Sequence, residues 1–531
     1  MENKIALDRR TFVAGSAVAA ATVGLGLYGC GGGDDTAATT DGADGAAVEG
    51  GALTGACAYT STNCNPIGNS SALMLAATWH VFEGLYDLDL HTYKTYNALA
   101  ADEPVKVSDV EYEVTLREGA KFSDGTDVTS ADVVNAFEKN MADATYGAFL
   151  EFIDSVAAKD DTTVTFTLKY PFDSLLKGRL SVVKVFPASA TEDDLKTMPI
   201  GSGPWKYVAI NGDDGGTIEF APNENYNGSM KATADTMSWN VLLDDTARTT
   251  ALQEASVQVM ENVPDANADQ LSAAGATVEY VPGFNQPFLM FNTKKAPFND
   301  NRVRQAFFYA IDTEKLISNQ MAGHADLVEG FLPKTHANFH KASTVYTYDP
   351  EKAKALLAEA GVENLEFTMV TNNNWVKGLA AQIQNDLEAV GIKMTNAEQK
   401  INWSEFAAPA DGATLEYDVM LTPGDPTCFG NDPDLLMSWW YADNIWTQGR
   451  SCWKGTEEWT QLQELMQEAR EATGDEQQQL WNQCFDILAE QVPLYPLFHR
   501  QVATGYQAAQ IEGFKPIATT GLVFLGASAK A

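Results

Sequence analysis

Alternating strand and helix patterns run along most of this 531-residue chain, and they constrain its fold more than any other feature. Residues 111–117 and 162–169 alternate apolar and polar side chains, which is typical of half-buried strands. Between them, Thr129 and Asp132 form a helix-capping pattern ahead of an apolar stripe. The second half of the chain predicts a helix from Pro350 to Gly361, a strand at 367–371, a helix at 382–389 and a helix from Thr473 to Pro493. This succession predicts the α/β class.

The first 29 residues have the layout of an export signal that is removed from the mature protein. Arg9 and Arg10 precede the apolar run Phe12–Leu27, and together they resemble a twin-arginine signal. The run is too short for a comfortable membrane span of about 20 residues, and no second one of that length follows. Whether export uses the twin-arginine or the general route stays open.

Cys30 ends a segment, Leu27–Cys30, that resembles a bacterial lipobox. The residues that follow, 31–51, are mostly Gly, Ala, Asp and Thr, so they cannot bury enough surface to fold. We therefore expect a lipid on Cys30 and a flexible tether at 30–54, which hold the protein at the outer face of the cytoplasmic membrane. The alternative is that Cys30 lies by chance near an ordinary cleavage site.

The net charge of −37 repels phosphate backbones, which argues against nucleic-acid binding. No histidine pattern, phosphate loop or nucleophile motif points to catalysis. We therefore expect no enzyme, no cofactor and no metal site.

Five cysteines follow Cys30 in the exported part of the chain. Cys484 belongs to an apolar helical stripe and is expected to stay unpaired. Disulfides between Cys57 and Cys64 and between Cys428 and Cys452 are then expected by default, although sequence does not determine connectivity.

Several segments together resemble the peptide/nickel-type extracellular solute-binding proteins, family 5, which serve ATP-driven (ABC) importers. The most specific is Leu116–Val133, with its ordered Gly, Asp, Thr and Ala positions. The others are Phe82–Asp87, Gly201–Trp205, Asn223–Tyr226, Phe291–Thr293, Pro297–Ala306, Ala310–Asp312, Glu468–Arg470 and Val492–Pro496. The resemblance covers about residues 75 to 515.

This resemblance implies a type II periplasmic-binding-protein fold, in which two α/β lobes are joined by a hinge and a small domain is inserted early. By analogy, lobe I takes residues 55–84, 163–288 and 495–531, the small domain 85–162 and lobe II 289–494. A ligand would lie between the lobes.

In peptide-binding members of the family, an Asp of the second lobe pairs with the ligand's amino group. Asp425 matches that position best, because it follows Gly424 in the corresponding stretch. Asp432 and Asp434 are alternatives, and a carboxylate in a surface turn is the structural alternative for Asp425. Asn373, Trp375, Trp439 and Trp440 are expected to line the cleft, with core packing as an equal alternative for each aromatic.

The function implied is a monomeric tethered receptor that captures a solute, a peptide by preference, and delivers it to an ABC transporter permease. The same fold with a nickel chelate, haem or sugar as ligand is the runner-up. A sensor or adhesin, and finally a surface hydrolase, are the remaining alternatives.

Overall fold

The computed structural model describes residues 50–371, 374–400 and 417–530. Its helices alternate with strands through most of this length, as the sequence predicted. The α-helices are Ala72–Val81, Ser130–Met141, Leu176–Leu180, Glu192–Thr197, Asp245–Gln253, Ala268–Ala273, Asn301–Ala310, Thr313–Gln320, Pro350–Glu359, Asn374–Lys377, Ala380–Glu388, Pro433–Tyr441, Glu457–Glu471 and Gly474–Gln491. Short 3-10 turns are Gly147–Phe149, Asp265–Asn267 and Pro426–Cys428, and Trp446–Arg450 is a π-helical turn.

The strands are labelled in chain order. They are β1 Ala52–Cys57, β2 Tyr86–Asp89, β3 Lys94–Asn97, β4 Val105–Ser108, β5 Glu111–Thr115, β6 Ile153–Ala158, β7 Thr163–Leu168, β8 Trp205–Ile210, β9 Thr217–Pro222, β10 Thr236–Val241, β11 Val259–Met260, β12 Thr277–Pro282, β13 Gln286–Phe291, β14 Ala325–Leu327, β15 Glu366–Thr371, β16 Lys393–Lys400, β17 Val419–Gly424, β18 Leu494–Pro496, β19 Phe498–Tyr506, β20 Ile511–Glu512 and β21 Ser528–Ala529.

Local sequence signals account for several of these boundaries. The backbone N–H of Thr129 donates to Oδ2 of Asp132 at 2.8 Å, which caps the helix Ser130–Met141 as predicted. Asp349 accepts from the backbone N–H of Lys352 at 2.9 Å, and Pro350 occupies the first helical turn. β5 and β7 alternate buried and less buried residues, so the predicted half-buried strands are confirmed.

Two large sheets organise the structure. The first runs in the order β12-β19-β11-β1-β10-β9-β8, with β14 also paired to β19. The second runs β16-β15-β17-β13-β18. The chain passes directly from one sheet to the other at two connections, from β12 to β13 and from β18 to β19, and it also visits the first sheet at β14, between β13 and β15. These two adjacent crossings bring the edge of one sheet to the edge of the other.

A third sheet, in the order β4-β5-β7-β6, is antiparallel throughout and lies early in the chain. It corrects one expected boundary, which ended the small domain at residue 162. β7 begins at Thr163, and its full length pairs with β5 and β6, so a cut at 162 would divide a hydrogen-bonded sheet. We therefore place the end of the small domain after Leu168; the other domain limits remain predictions.

Candidate functional site

The start of β13 lies where the two crossings meet. On one side, Gln286 pairs with Gly424 at the end of β17. On the other, the backbone N–H of Arg500 donates to the carbonyl oxygen of Asn285 at 2.6 Å. The parallel strand β15 ends next to β17, with Thr371 opposite Leu421. Because ligands of α/β proteins bind at the carboxyl ends of parallel strands, this junction is the candidate site.

Gly424 allows the backbone to pack closely against two aromatic side chains of the core at this point. A Cβ there would lie 2.8 Å from Cζ2 of Trp440 and 3.0 Å from Cε1 of Phe288. A side chain at residue 424 would therefore displace the strand end. Pro426 starts a 3-10 turn directly afterwards, and Asp425 caps that turn by accepting from the backbone N–H of Thr427 at 3.0 Å.

Asp425 carries a buried carboxylate that is only half satisfied. Its Oδ1 accepts from the backbone N–H of Thr427 and from the Thr427 hydroxyl, the latter at 2.6 Å. Its Oδ2 is buried without a hydrogen-bond partner among the described residues. Burial raises the pKa of Asp425 to about 6, although Thr427 and the nearby Thr519 act in the opposite direction. The hydroxyl of Thr519 is itself buried and completes no hydrogen bond with Oδ2.

Thr519 is held near Asp425 by a second buried acid. Oε1 of Glu261 accepts from the backbone N–H of Gly521 at 2.6 Å, and Oε2 accepts from the backbone N–H of Ala58 at 3.0 Å. Gly521 has a φ of +114°, which favours glycine. Glu261 therefore fixes the segment that faces Asp425, and burial raises the pKa of Glu261.

Further buried polar atoms lie around the same junction without hydrogen-bond partners in the described part of the chain. They are Oδ1 of Asn285, Oε1 and Nε2 of Gln286, Oγ1 of Thr371 and Nε of Arg500. Buried polar groups are nearly always hydrogen-bonded in folded proteins, because leaving one unpaired costs the desolvation of that group. A concentration of such atoms at one place is typical of a site that a polar ligand completes.

A cavity adjoins the turn that follows Asp425. Its empty volume is about 820 Å³, counted with the open solvent at its mouth, and its walls include Trp79, Tyr96, Tyr146, Cys428 and Phe429. Of the described residues predicted to bind the ligand, none lines this cavity. The hydroxyl of Tyr93 donates to Oγ1 of Thr427 at 3.1 Å and so links the turn to the β2–β3 hairpin.

The predicted aromatic residues have different environments. Trp439 is half-buried and stacks on Phe149 with ring centroids 5.8 Å apart. Trp440 is buried among Phe284, Phe288 and Phe331, which is the core packing named as its alternative.

Trp375 lies at the junction itself. It follows β15, and the guanidinium carbon of Arg500 lies 4.8 Å from its ring centroid. Asn373 and Cys30 fall outside the described residues.

Asp432 and Asp434 form part of an ion-pair network. Arg179 Nη2 lies 2.9 Å from Oδ1 of Asp432 and 2.6 Å from Oδ2 of Asp434. Asp434 also pairs with Arg470 at 2.8 Å, while Asp432 caps the helix Pro433–Tyr441. Both carboxylates therefore already have cationic partners, in contrast to Asp425.

The cysteines differ from the expectation of two disulfides. Cys57, Cys64, Cys428, Cys452 and Cys484 are all free thiols. The Sγ atoms of Cys428 and Cys452 donate to the carbonyl oxygens of Asp425 at 3.6 Å and Arg450 at 3.5 Å. These are contacts within their own loops, so neither sulfur is directed at the other. Cys484 is buried in the core, as predicted.

Gln286, Arg500 and Thr519 were missed in the sequence. No local pattern distinguishes them, because Gln286 and Arg500 are single polar residues within strands and Thr519 lies in a loop. They are identified only in the structure, by buried polar atoms that lack hydrogen-bond partners in the described ranges. Within the described residues, no cluster of His, Cys, Asp or Glu is arranged to hold a metal ion, and no helix is long and apolar enough to cross a bilayer.

Comparisons with known proteins agree with this architecture. The dipeptide-binding protein of a Pseudoalteromonas species, solved with Met-Leu, superposes with a TM-score of 0.80 and 20% identity, over 90% of this chain and all of that chain. The fold is therefore the type II periplasmic-binding-protein fold.

Two relatives are more similar in sequence. The glutathione-binding protein of Pectobacterium atrosepticum is 29% identical over 355 residues, which are 63% of this chain and 66% of that relative. The haem-binding protein A of Haemophilus influenzae is 26% identical over 480 residues, 82% of this chain and 85% of the relative.

The sequence model of the bacterial extracellular solute-binding proteins, family 5, matches residues 94–457. This match covers more than half of the chain and includes the segment Leu116–Val133. The family and the fold are those of non-enzymatic solute-binding proteins of ABC importers. The chain therefore belongs to the family 5 bacterial extracellular solute-binding proteins.

Proposed function

We propose that this protein captures a peptide at the junction of its two large sheets and delivers it to an ABC transporter permease. Asp425 would bind the peptide's amino terminus. Support comes from relatives whose names record peptide-like solutes: one binds glutathione, and another was solved with a dipeptide.

The observation that carries this proposal is the Oδ2 atom of Asp425. It is buried, and no cation or donor among the described residues satisfies it. An ammonium group is the complementary partner, since it donates several hydrogen bonds and neutralises the charge. In a cleft that excludes water, such a pair is stronger than it would be in solvent.

The experiment compares a peptide with its N-acetylated form on the wild type and on Asp425→Asn. The substitution keeps the shape and removes the charge. Losing one partner of a buried charge pair costs about 2–5 kcal/mol, or roughly thirtyfold and upward in Kd. We expect calorimetry to show a strong preference of the wild type for the free amine, and none in the variant.

Asp432→Asn is the matched control, because Asp432 is already paired with Arg179. It should keep the preference for the free amine. Equal binding of both peptides by the wild type would contradict the role of Asp425. If Asp432→Asn rather than Asp425→Asn loses the preference for the free amine, Asp432 is the residue that binds the amino terminus.

The cellular setting belongs to the same proposal. The family is extracellular by its description, and a Cys30-linked lipid with the tether at 30–54 would keep the receptor beside its permease. The anchored form fits a protein of net charge −37, which anionic lipid would otherwise repel. The protein would act as a monomer whose two lobes close around the solute.

A further inference from the structure

We propose that Arg500 binds an anionic group of the solute, so that the protein selects solutes carrying a negative charge as well as the amino group held by Asp425. This inference rests on the proposed function and adds a second recognition element to the same site. The shared chemistry is a carboxylate, which a peptide can offer at its C-terminus or on an acidic side chain.

The first observation is that Arg500 is buried without a counterion. The residue is 5% exposed, yet no described carboxylate forms an ion pair with its guanidinium, and its Nε has no hydrogen-bond partner. Its hydrogen bond to Asn285 uses the backbone N–H alone. Burying an unpaired charge is costly, so such groups are normally paired with an opposite charge.

Nearby acids do not supply that partner. Arg500 is close enough to Asp265 and Tyr59 to lower their pKa values, although burial raises both more strongly. Asp265 nevertheless forms no ion pair with Arg500. Oδ2 of Asp425 and Nε of Arg500 both lack a hydrogen-bond partner among the described residues, so these two groups do not pair with each other. Each is therefore available to a ligand.

The second observation is the contact with Trp375. The Cζ atom of Arg500 lies 4.8 Å from the ring centroid, which is cation–π geometry. This contact holds the guanidinium beside the ring. The N–H donors of a guanidinium form a fork that suits the two oxygens of a carboxylate.

The third observation is the amide of Gln286, a residue that pairs with Gly424 and directly follows Asn285, the backbone partner of Arg500. The residue is fully buried, and neither its Oε1 nor its Nε2 has a hydrogen-bond partner in the described part of the chain. An amide with a free donor and a free acceptor matches the peptide bond of a ligand. Asp425, Gln286 and Arg500 thus offer partners for the amine, the peptide group and the acid of a short peptide.

The strand order sets the scale of this ligand. Asp425 follows the strand on one side of β13, and Arg500 bonds to the residue preceding β13 from the other side. Neighbouring strands lie about 4.8 Å apart, so the two backbones are separated by about 10 Å. About three extended residues span that distance. A peptide of three residues is therefore the probe length used to test the site.

The test measures Kd by calorimetry for four probes: tri-alanine, its C-terminal amide, its N-acetyl derivative, and Ala-Glu-Ala amide. The wild type should bind tri-alanine about thirtyfold or more tightly than its C-terminal amide, the usual effect of removing one partner of a buried charge pair. If an acidic side chain is the natural partner, Ala-Glu-Ala amide should bind at least as well as tri-alanine.

Arg500→Gln should abolish the preference for acid over amide, and Arg500→Lys should keep part of it, because the charge remains while the fork is lost. A merely structural role would weaken binding of all four probes equally and leave the ratios unchanged. Arg302→Gln is the matched control, since Arg302 pairs with Asp300 outside the junction. It should leave every ratio as in the wild type.

The outcomes separate this inference from the proposed function. If the wild type binds the N-acetyl probe more weakly than tri-alanine but binds tri-alanine and its C-terminal amide equally, the role of Arg500 is overturned and that of Asp425 is kept. If no probe binds, native mass spectrometry of solute retained by the wild type decides. If the wild type retains an anionic solute that Arg500→Gln fails to retain, the inference is supported. If the wild type retains a neutral solute, or no solute, both the inference and the peptide function are overturned.

Discussion

Arg179 and Asp434 form an ion pair, Nη2 to Oδ2 at 2.6 Å, between a helix near residue 180 and the helix Pro433–Tyr441. The side chains are only 1% and 3% exposed, and Asp434 also holds Arg470. The pair joins segments far apart in sequence, and Asp434 lies in the first turn of the helix that follows the turn carrying Asp425. It supports the site without being available to a ligand.

Asp434→Ala should therefore destabilise the fold strongly. It leaves Arg470 buried without its carboxylate and takes one of two acids from Arg179, and breaking such a buried pair costs about 3–5 kcal/mol. Urea unfolding would measure the loss. Glu366→Ala, which breaks the exposed pair with Lys393, should cost less than about 1 kcal/mol. Equal effects of the two substitutions would show that the buried network contributes little.

Binding of a free amino terminus should weaken as pH falls through about 6, the pKa to which burial raises Asp425. A peptide's amino group, with a pKa near 8, stays charged in this range. Binding at pH 5 should be about tenfold weaker than at pH 7, and the dependence should be absent in Asp425→Asn. A profile shared by both proteins would assign the titration to another group.

The raised pKa of Asp425 makes the free energy of unfolding change with pH in the opposite direction to binding. The folded protein keeps a proton on Asp425 up to about pH 6, whereas the unfolded chain releases it near pH 4. The contribution of Asp425 to the free energy of unfolding therefore decreases as pH rises from 4 to 6. Asp425→Asn should gain stability relative to the wild type over this interval, as measured by urea unfolding at each pH.

Ligand should draw the two lobes together, because the site lies where the chain crosses between the two sheets. Small-angle scattering should give a smaller radius of gyration with a saturating free peptide, with unchanged circular dichroism. The N-acetylated peptide at the same concentration is the control and should leave the radius as it is. A constant radius with bound free peptide would contradict closure.

Cys30→Ala should release the protein from the membrane, since the lipobox-like segment Leu27–Cys30 would no longer offer a thiol for acylation. Fractionation of cells in high salt, with the intact mass of the protein, tests this. Cys484→Ala is the matched control, because Cys484 is buried in the core, and it should stay in the membrane fraction. Retention of Cys30→Ala at the membrane with unchanged mass would refute the anchor.

Local sequence patterns determined the elements of this fold. The period-two alternation at 111–115 and 163–168 and the Asp349-Pro350 helix start depend on residues a few positions apart, so they could be recognised without tertiary information. The family followed from the ordered segment Leu116–Val133. The sheet pairing of β7 could not be predicted from such patterns, because the residues at a single position do not show which distant strand will pair with it.

Tertiary structure decided the site. Trp439 and Trp440 are neighbours in sequence, yet only Trp440 is fully buried in the core, because consecutive residues of a helix point about 100° apart. Asp425 and Asp432 both follow β17, but only Asp432 meets an arginine. Arg500 and Gln286 come to the same junction as Asp425 only because β12 leads into β13 and β18 leads into β19 across the two sheets. Whether a buried charge has a partner depends on which residues folding places next to it, and neither composition nor periodicity specifies those residues.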